Sequence, residues 1–123
     1  MRRWYMVLVV LTLCLASAAC SSSDGGGSDC VDLSGDGAAF TVTITDFAFR
    51  PSCFTASAAQ GISLVNQGGT IHTFTLVGTQ VDIEVEGGAT VDRGPVAGVV
   101  EPGTYDLTCR FHHEMSGEVT IVA

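Results

Sequence analysis

An all-β antiparallel sandwich or barrel of about eight short strands is the fold class this sequence predicts. Three observations predict it. Apolar and polar residues alternate strictly over Phe40–Thr45, with Phe40, Val42 and Ile44 on one side and Thr41, Thr43 and Thr45 on the other. Turn signals recur between short apolar runs: Gln60-Gly61, Gln67-Gly68-Gly69, Gly87-Gly88, Pro102-Gly103 and Ser116-Gly117. Val and Thr are frequent beside 15 Gly, a mixture that favours strands and tight turns over helices.

In chain order, the first element is an expected export signal over residues 1–19. Arg2 and Arg3 open it, Trp4–Ala16 is almost wholly apolar, and the small residues Ser17, Ala18 and Ala19 close it. The apolar run is about 13 residues, too short to span a bilayer, which takes about 20. Residues 20–37 follow as Cys20 and a Ser/Gly/Asp tether whose core, Ser21–Asp29, has nothing to bury. The folded domain is expected over 38–123, with no internal repeat. After Phe40–Thr45, strands are expected at Cys53–Ser57, Ile62–Asn66, His72–Val77, Val81–Val85, Val96–Val100, Thr104–Cys109 and Glu118–Val122.

Charge narrows the partners. Lys is absent, and beyond position 20 three Arg stand against 13 acidic residues, a net of −10. So acidic a surface argues against nucleic acid and anionic lipid as partners, and it is compatible with steering towards a basic protein or with solubility alone.

The segment Tyr105–Ile121 places a thiolate, an imidazole and a thioether in one loop between strand-like runs, spaced Cys109-x2-His112-x2-Met115. Soft sulfur with imidazole suits copper, and two His, one Cys and a long axial Met make the blue-copper arrangement. A second His must come from elsewhere; apart from the neighbouring His113, only His72 in Ile71–Thr75 is available. Here the chain resembles the cupredoxins of the plastocyanin and amicyanin group. The likeness runs over about Phe40 to Ala123 and takes in Phe49-x-Pro51, Asn66-Gln-Gly-Gly69, Pro102-Gly-Thr-Tyr105 and the closing Gly117–Ile121. It implies a Greek-key β-sandwich holding one type 1 copper through His72, Cys109, His112 and Met115. His113 is read as a solvent-facing neighbour, the alternative being that it replaces His112. The family's electron exit is the exposed ring edge of the loop His, here His112. Two positions depart from the family: Phe111 stands where many members have Pro, and Thr73 where many have an Asn that braces the Cys loop.

The start of the chain resembles a bacterial lipoprotein signal, in which the Cys becomes the lipidated N-terminus. The resemblance implies lipid on Cys20, although Ser17 stands where Leu is usual; the alternative is a soluble secreted product. The five Cys then have separate roles: Cys14 is removed with the signal, Cys20 carries lipid, Cys109 binds copper, and the leftover Cys30 and Cys53 pair, as exported proteins favour.

The expected function is single-electron transfer between redox partners outside the cytoplasm by a monomer that touches membrane only through its lipid. Copper delivery on the same fold is the alternative, but it asks for a Met-rich open site, and only Met115 lies beyond the signal. A multicopper oxidase or a nitrite reductase needs more His than the three present, a binuclear centre needs a second loop Cys, and a Cys-His-His-Met set suits zinc poorly.

Overall fold

Alternation along Phe40–Thr45 sends Phe40, Val42 and Ile44 into the core, all buried, and leaves Thr41 at the surface. The same logic builds most of the molecule. The computed structural model describes residues 29–123 and contains among them ten strands and no helix. They are β1 (Val31–Asp32), β2 (Phe40–Thr45), β3 (Ala48–Arg50), β4 (Cys53–Ser57), β5 (Ile62–Asn66), β6 (His72–Leu76), β7 (Asp82–Val85), β8 (Thr90–Arg93), β9 (Gly103–Cys109) and β10 (His112–Val122). The expected export signal, the lipid-bearing Cys20 and nearly all of Ser21–Asp29 lie outside the described residues.

Two sheets face each other. One has six strands in the order β1-β4-β10-β9-β6-β7, the other four in the order β3-β2-β5-β8. Between them lie Phe54, Phe74, Leu107, Val119 and Ile121 from the larger sheet and Val42, Ile44, Ile62 and Leu64 from the smaller. Phe40 packs on Phe54 with ring centroids 5.5 Å apart, and Phe49 meets Phe74 edge-on at 6.2 Å.

The all-β sandwich is the expected class, but both sheets are mixed where antiparallel pairing was expected. β1 and β10 each run parallel to β4, and β2 runs parallel to β5. A strand that leaves its sheet, crosses through the other and returns can rejoin in the same direction, which a hairpin cannot do.

Other differences have local causes. The expected strand at Val96–Val100 is a turn: Val99 and Val100 both donate to the Val96 carbonyl, and Gly98 has φ 81°. The strand lies earlier, at Thr90–Arg93, paired antiparallel with β5. Val31–Asp32, expected within the tether, pair with β4. That segment is fixed by the Cys30–Cys53 disulfide and by the buried Gln60, whose side-chain amide donates to the carbonyls of Leu33 and Ala38, both at 2.8 Å.

Candidate metal centre

The centre lies where β6 starts and where β9 turns into β10. Register brings them together: Thr75 pairs with Thr108 and Leu76 with Leu107, so following β6 back towards His72 reaches the level of the β9–β10 turn. That turn is Arg110-Phe111, closed by the Cys109–His112 pair. The ladder then slips before resuming at Ser116–Thr108, and the bulge over 113–115 re-aims the chain. It leaves His113 exposed and buries Met115 to 1% exposure. What sequence alone reads as a loop ending at Glu118 is therefore a tight hairpin with a bulge.

Asn66 shapes the approach to His72. Its buried side-chain amide donates to the carbonyls of Thr70, Val85 and Glu86 at 2.8, 2.9 and 3.0 Å, and its oxygen accepts the Gly68 N–H at 2.9 Å. Gly87 is required by close approach: a Cβ on it would lie 2.7 Å from the Gly69 carbonyl oxygen.

Three donors converge. His72 Nδ1 lies 3.1 Å from His112 Nδ1, and Cys109 Sγ lies 3.5 Å from His112 Nδ1 and 3.9 Å from His72 Nδ1. Nitrogens at about 2.0 Å and sulfur at about 2.3 Å from one ion, in a trigonal plane, would stand about 3.5 Å (N to N) and about 3.7 Å (N to S) apart. The triangle in this protein matches that to within a few tenths of an ångström. Of the four residues expected to hold copper, His72, Cys109 and His112 thus present their ligand atoms to one point, and Met115 is buried in the bulge that follows His112. A donor set of two imidazoles and one thiolate, with a buried thioether three residues after His112, fits copper.

The surroundings stiffen the set. His72 and Thr73 are fully buried. The Thr73 N–H donates to Cys109 Sγ at 3.4 Å, and Thr73 Oγ1 accepts the Arg110 N–H at 2.9 Å. Thr73, noted as a departure from the family's Asn, therefore braces the Cys loop with its own hydroxyl. Arg110 donates to Asp82 and Glu84 on β7, both at 2.9 Å, and its guanidinium lies 5.2 Å from the Phe111 ring centroid. This basic residue ties the turn to β7.

Two residues at the site escaped the sequence reading. Asp46 Oδ1 stands 3.1 Å from His72 Nε2, and Phe47 sets its ring edge against His112 with centroids 5.0 Å apart. The Gly69 N–H, then the His72 ring, hold the Asp46 carboxyl below its ordinary value. One signal was available: Asp46 is the single acidic residue between Asp36 and Asp82. A second cluster, Cys30, Cys53 and Glu118, is not a metal site, because its two sulfurs are bonded to each other.

A family model described as a cupredoxin-like domain matches residues 5–121. The chain belongs to the cupredoxin-like family. No curated protein matches this cupredoxin-like chain in sequence. Solved structures share its fold at low identity. A reduced-state amicyanin mutant is 20% identical, with a TM-score of 0.55 over 68% of this chain and 82% of that one. A purple cupredoxin from Nitrosopumilus maritimus is 16% identical, with a TM-score of 0.51 over 67% of this chain and 98% of that one. A copper-containing nitrite reductase from Thermus scotoductus SA-01 is 17% identical, with a TM-score of 0.56 over 69% of this chain, which spans 22% of the reductase chain.

Proposed function

We propose that this cupredoxin-like protein is a mononuclear blue-copper electron carrier that works outside the cytoplasm. The observation that carries the reading is the convergence of His72 Nδ1, His112 Nδ1 and Cys109 Sγ on one point, with the buried Met115 three residues after His112. A copper ion held there supplies a one-electron Cu(II)/Cu(I) couple. Every other requirement falls to the chain. His72 is anchored out of water, and Cys109 receives the Thr73 N–H, so the donors stand in place before the metal arrives. Four protein donors leave no position for a substrate, which favours electron transfer over catalysis. His112 is half-buried against the exposed Phe47, whereas His72 is fully buried, so the His112 ring is the way from centre to surface.

Location and partners belong to the same proposal. Residues 1–19 export the chain, Cys20 carries lipid, and the tether lets the domain reach partners near the membrane. The Cys30–Cys53 disulfide supports an oxidising compartment. The strongly acidic surface favours a basic redox protein as partner. Non-reducing peptide mass spectrometry tests the anchor: an unmodified mature N-terminus at Ala19 rules it out. The visible and EPR spectra of the Cu(II) protein test the centre. An intense thiolate-to-copper band is expected, and Cys109→Ala is expected to abolish it; a variant that keeps the band removes Cys109 from the site.

A further inference from the structure

Asp46 stands in the two-residue turn between β2 and β3, on the smaller sheet, whereas the ligands of the centre come from the larger one. It nevertheless reaches His72. The two ring nitrogens of that histidine face opposite ways: Nδ1 points at Cys109 and His112, and Nε2 lies 3.1 Å from Asp46 Oδ1. A ring that offers Nδ1 to a metal keeps its proton on Nε2, and that N–H needs an acceptor because the histidine is fully buried. The Thr70 hydroxyl, 3.2 Å away, is the other neighbour of Nε2, and it is itself bonded to Asp46 Oδ1 at 3.3 Å. An ionised carboxylate is the stronger acceptor of the two.

We propose that Asp46 is a positioning residue for the metal centre, holding His72 by its outer nitrogen and lending the bound ion a nearby negative charge. The inference rests on reading the centre as a copper site and deepens it. Two further observations support it. The carboxylate is seated: Oδ2 accepts the Gly69 N–H at 3.1 Å, and a Cβ on Gly68 would fall 2.9 Å from Asp46 Cγ, so the chain is bare where the carboxyl group lies. The turn is also strained, since Phe47 has φ 76°, a region that bulky side chains rarely enter. The strained turn holds Asp46 on His72 and Phe47 on His112, with ring centroids 5.0 Å apart, so it contacts both imidazoles. A carboxylate bonded to a ligating imidazole makes the ring a better donor and favours the more highly charged metal state, and loss of such a partner commonly costs about 10–100-fold in metal affinity.

The test compares wild type, Asp46→Asn and Asp46→Ala. Asn keeps the size and an acceptor oxygen but removes the charge; Ala removes both. The expected result is that D46N keeps the thiolate-to-copper band and raises the reduction potential. D46A is expected to alter the EPR signal as well and to lose Cu(II) to a chelator about 10-fold or more faster. In the copper-free protein, nitrogen NMR is expected to find the His72 proton on Nε2 in wild type and spread over both nitrogens in D46A. Should D46A fail to fold, the potential of D46N decides alone. A banded wild type whose potential is unmoved in D46N overturns this inference and leaves the copper reading standing. A wild type that takes up copper without the band overturns both.

Discussion

Thr73 makes two bonds that hold the Cys109 turn, one from its backbone and one through its side chain. Thr73→Val keeps the shape and the N–H to Cys109 Sγ but strands the Arg110 N–H. It is expected to cost about 1 kcal/mol in denaturant unfolding of the metal-free protein while leaving the colour intact. An unchanged midpoint would mean that water replaces the hydroxyl. Met115 is a different case, because its burial in the bulge adds packing to any role as an axial donor. Met115→Leu conserves volume, so stability should hold within about 1.5 kcal/mol. Copper is expected to stay bound with a changed reduction potential, since the axial ligand tunes it. The same potential in both proteins would take Met115 out of the site.

At the scale of elements, the β9–β10 turn is clamped to β7 by Arg110 through Asp82 and Glu84. The Arg110 guanidinium, helped by the Thr75 hydroxyl and opposed by burial, holds the Asp82 carboxyl below its ordinary value of 3.8. A carboxyl depressed in the folded state stabilises it fully above the ordinary value, and that contribution is lost as pH falls through the folded pKa. Wild type is therefore expected to lose stability more steeply than Arg110→Ala below about pH 4 and to track it above about pH 5. Unfolding midpoints of the two proteins across that range check it; parallel curves would mean that the clamp adds nothing. Arg110 also lies over Phe111, its guanidinium 5.2 Å from the ring centroid, so one side chain holds the turn residue and β7 together.

Across the whole molecule, the segment before the first core strand is held by two independent fastenings, the Cys30–Cys53 bridge and the bonds from Gln60. The bridge joins residues 23 apart in sequence. Closing a loop of that size restricts the unfolded chain by about 3 kcal/mol. Cys30→Ser with Cys53→Ser is expected to lower stability by about that amount and to leave the copper spectrum unchanged, because Cys109 is buried apart from the bridge. A spectrum that changes with the bridge would show that the bridge and the centre are coupled.

Strands with strict alternation were legible because pleating places every second side chain on one face, so Phe40–Thr45 and Ile62–Asn66 declare their buried side without reference to the rest of the fold. The Cys109, His112 and Met115 spacing was legible for a similar reason: a two-residue turn and a bulge are local devices. Val96–Val100 misled because its apolar residues fill a turn around Gly98 and do not pair. The parallel pairings could not be read, since direction depends on how the chain crosses between sheets. Asp46 lies 26 residues before His72 in a turn on the opposite sheet, and no local pattern links them. Their contact exists only because the two sheets close over a shared end, where the pull of a buried imidazole for an acceptor is answered by whichever carboxylate the fold delivers.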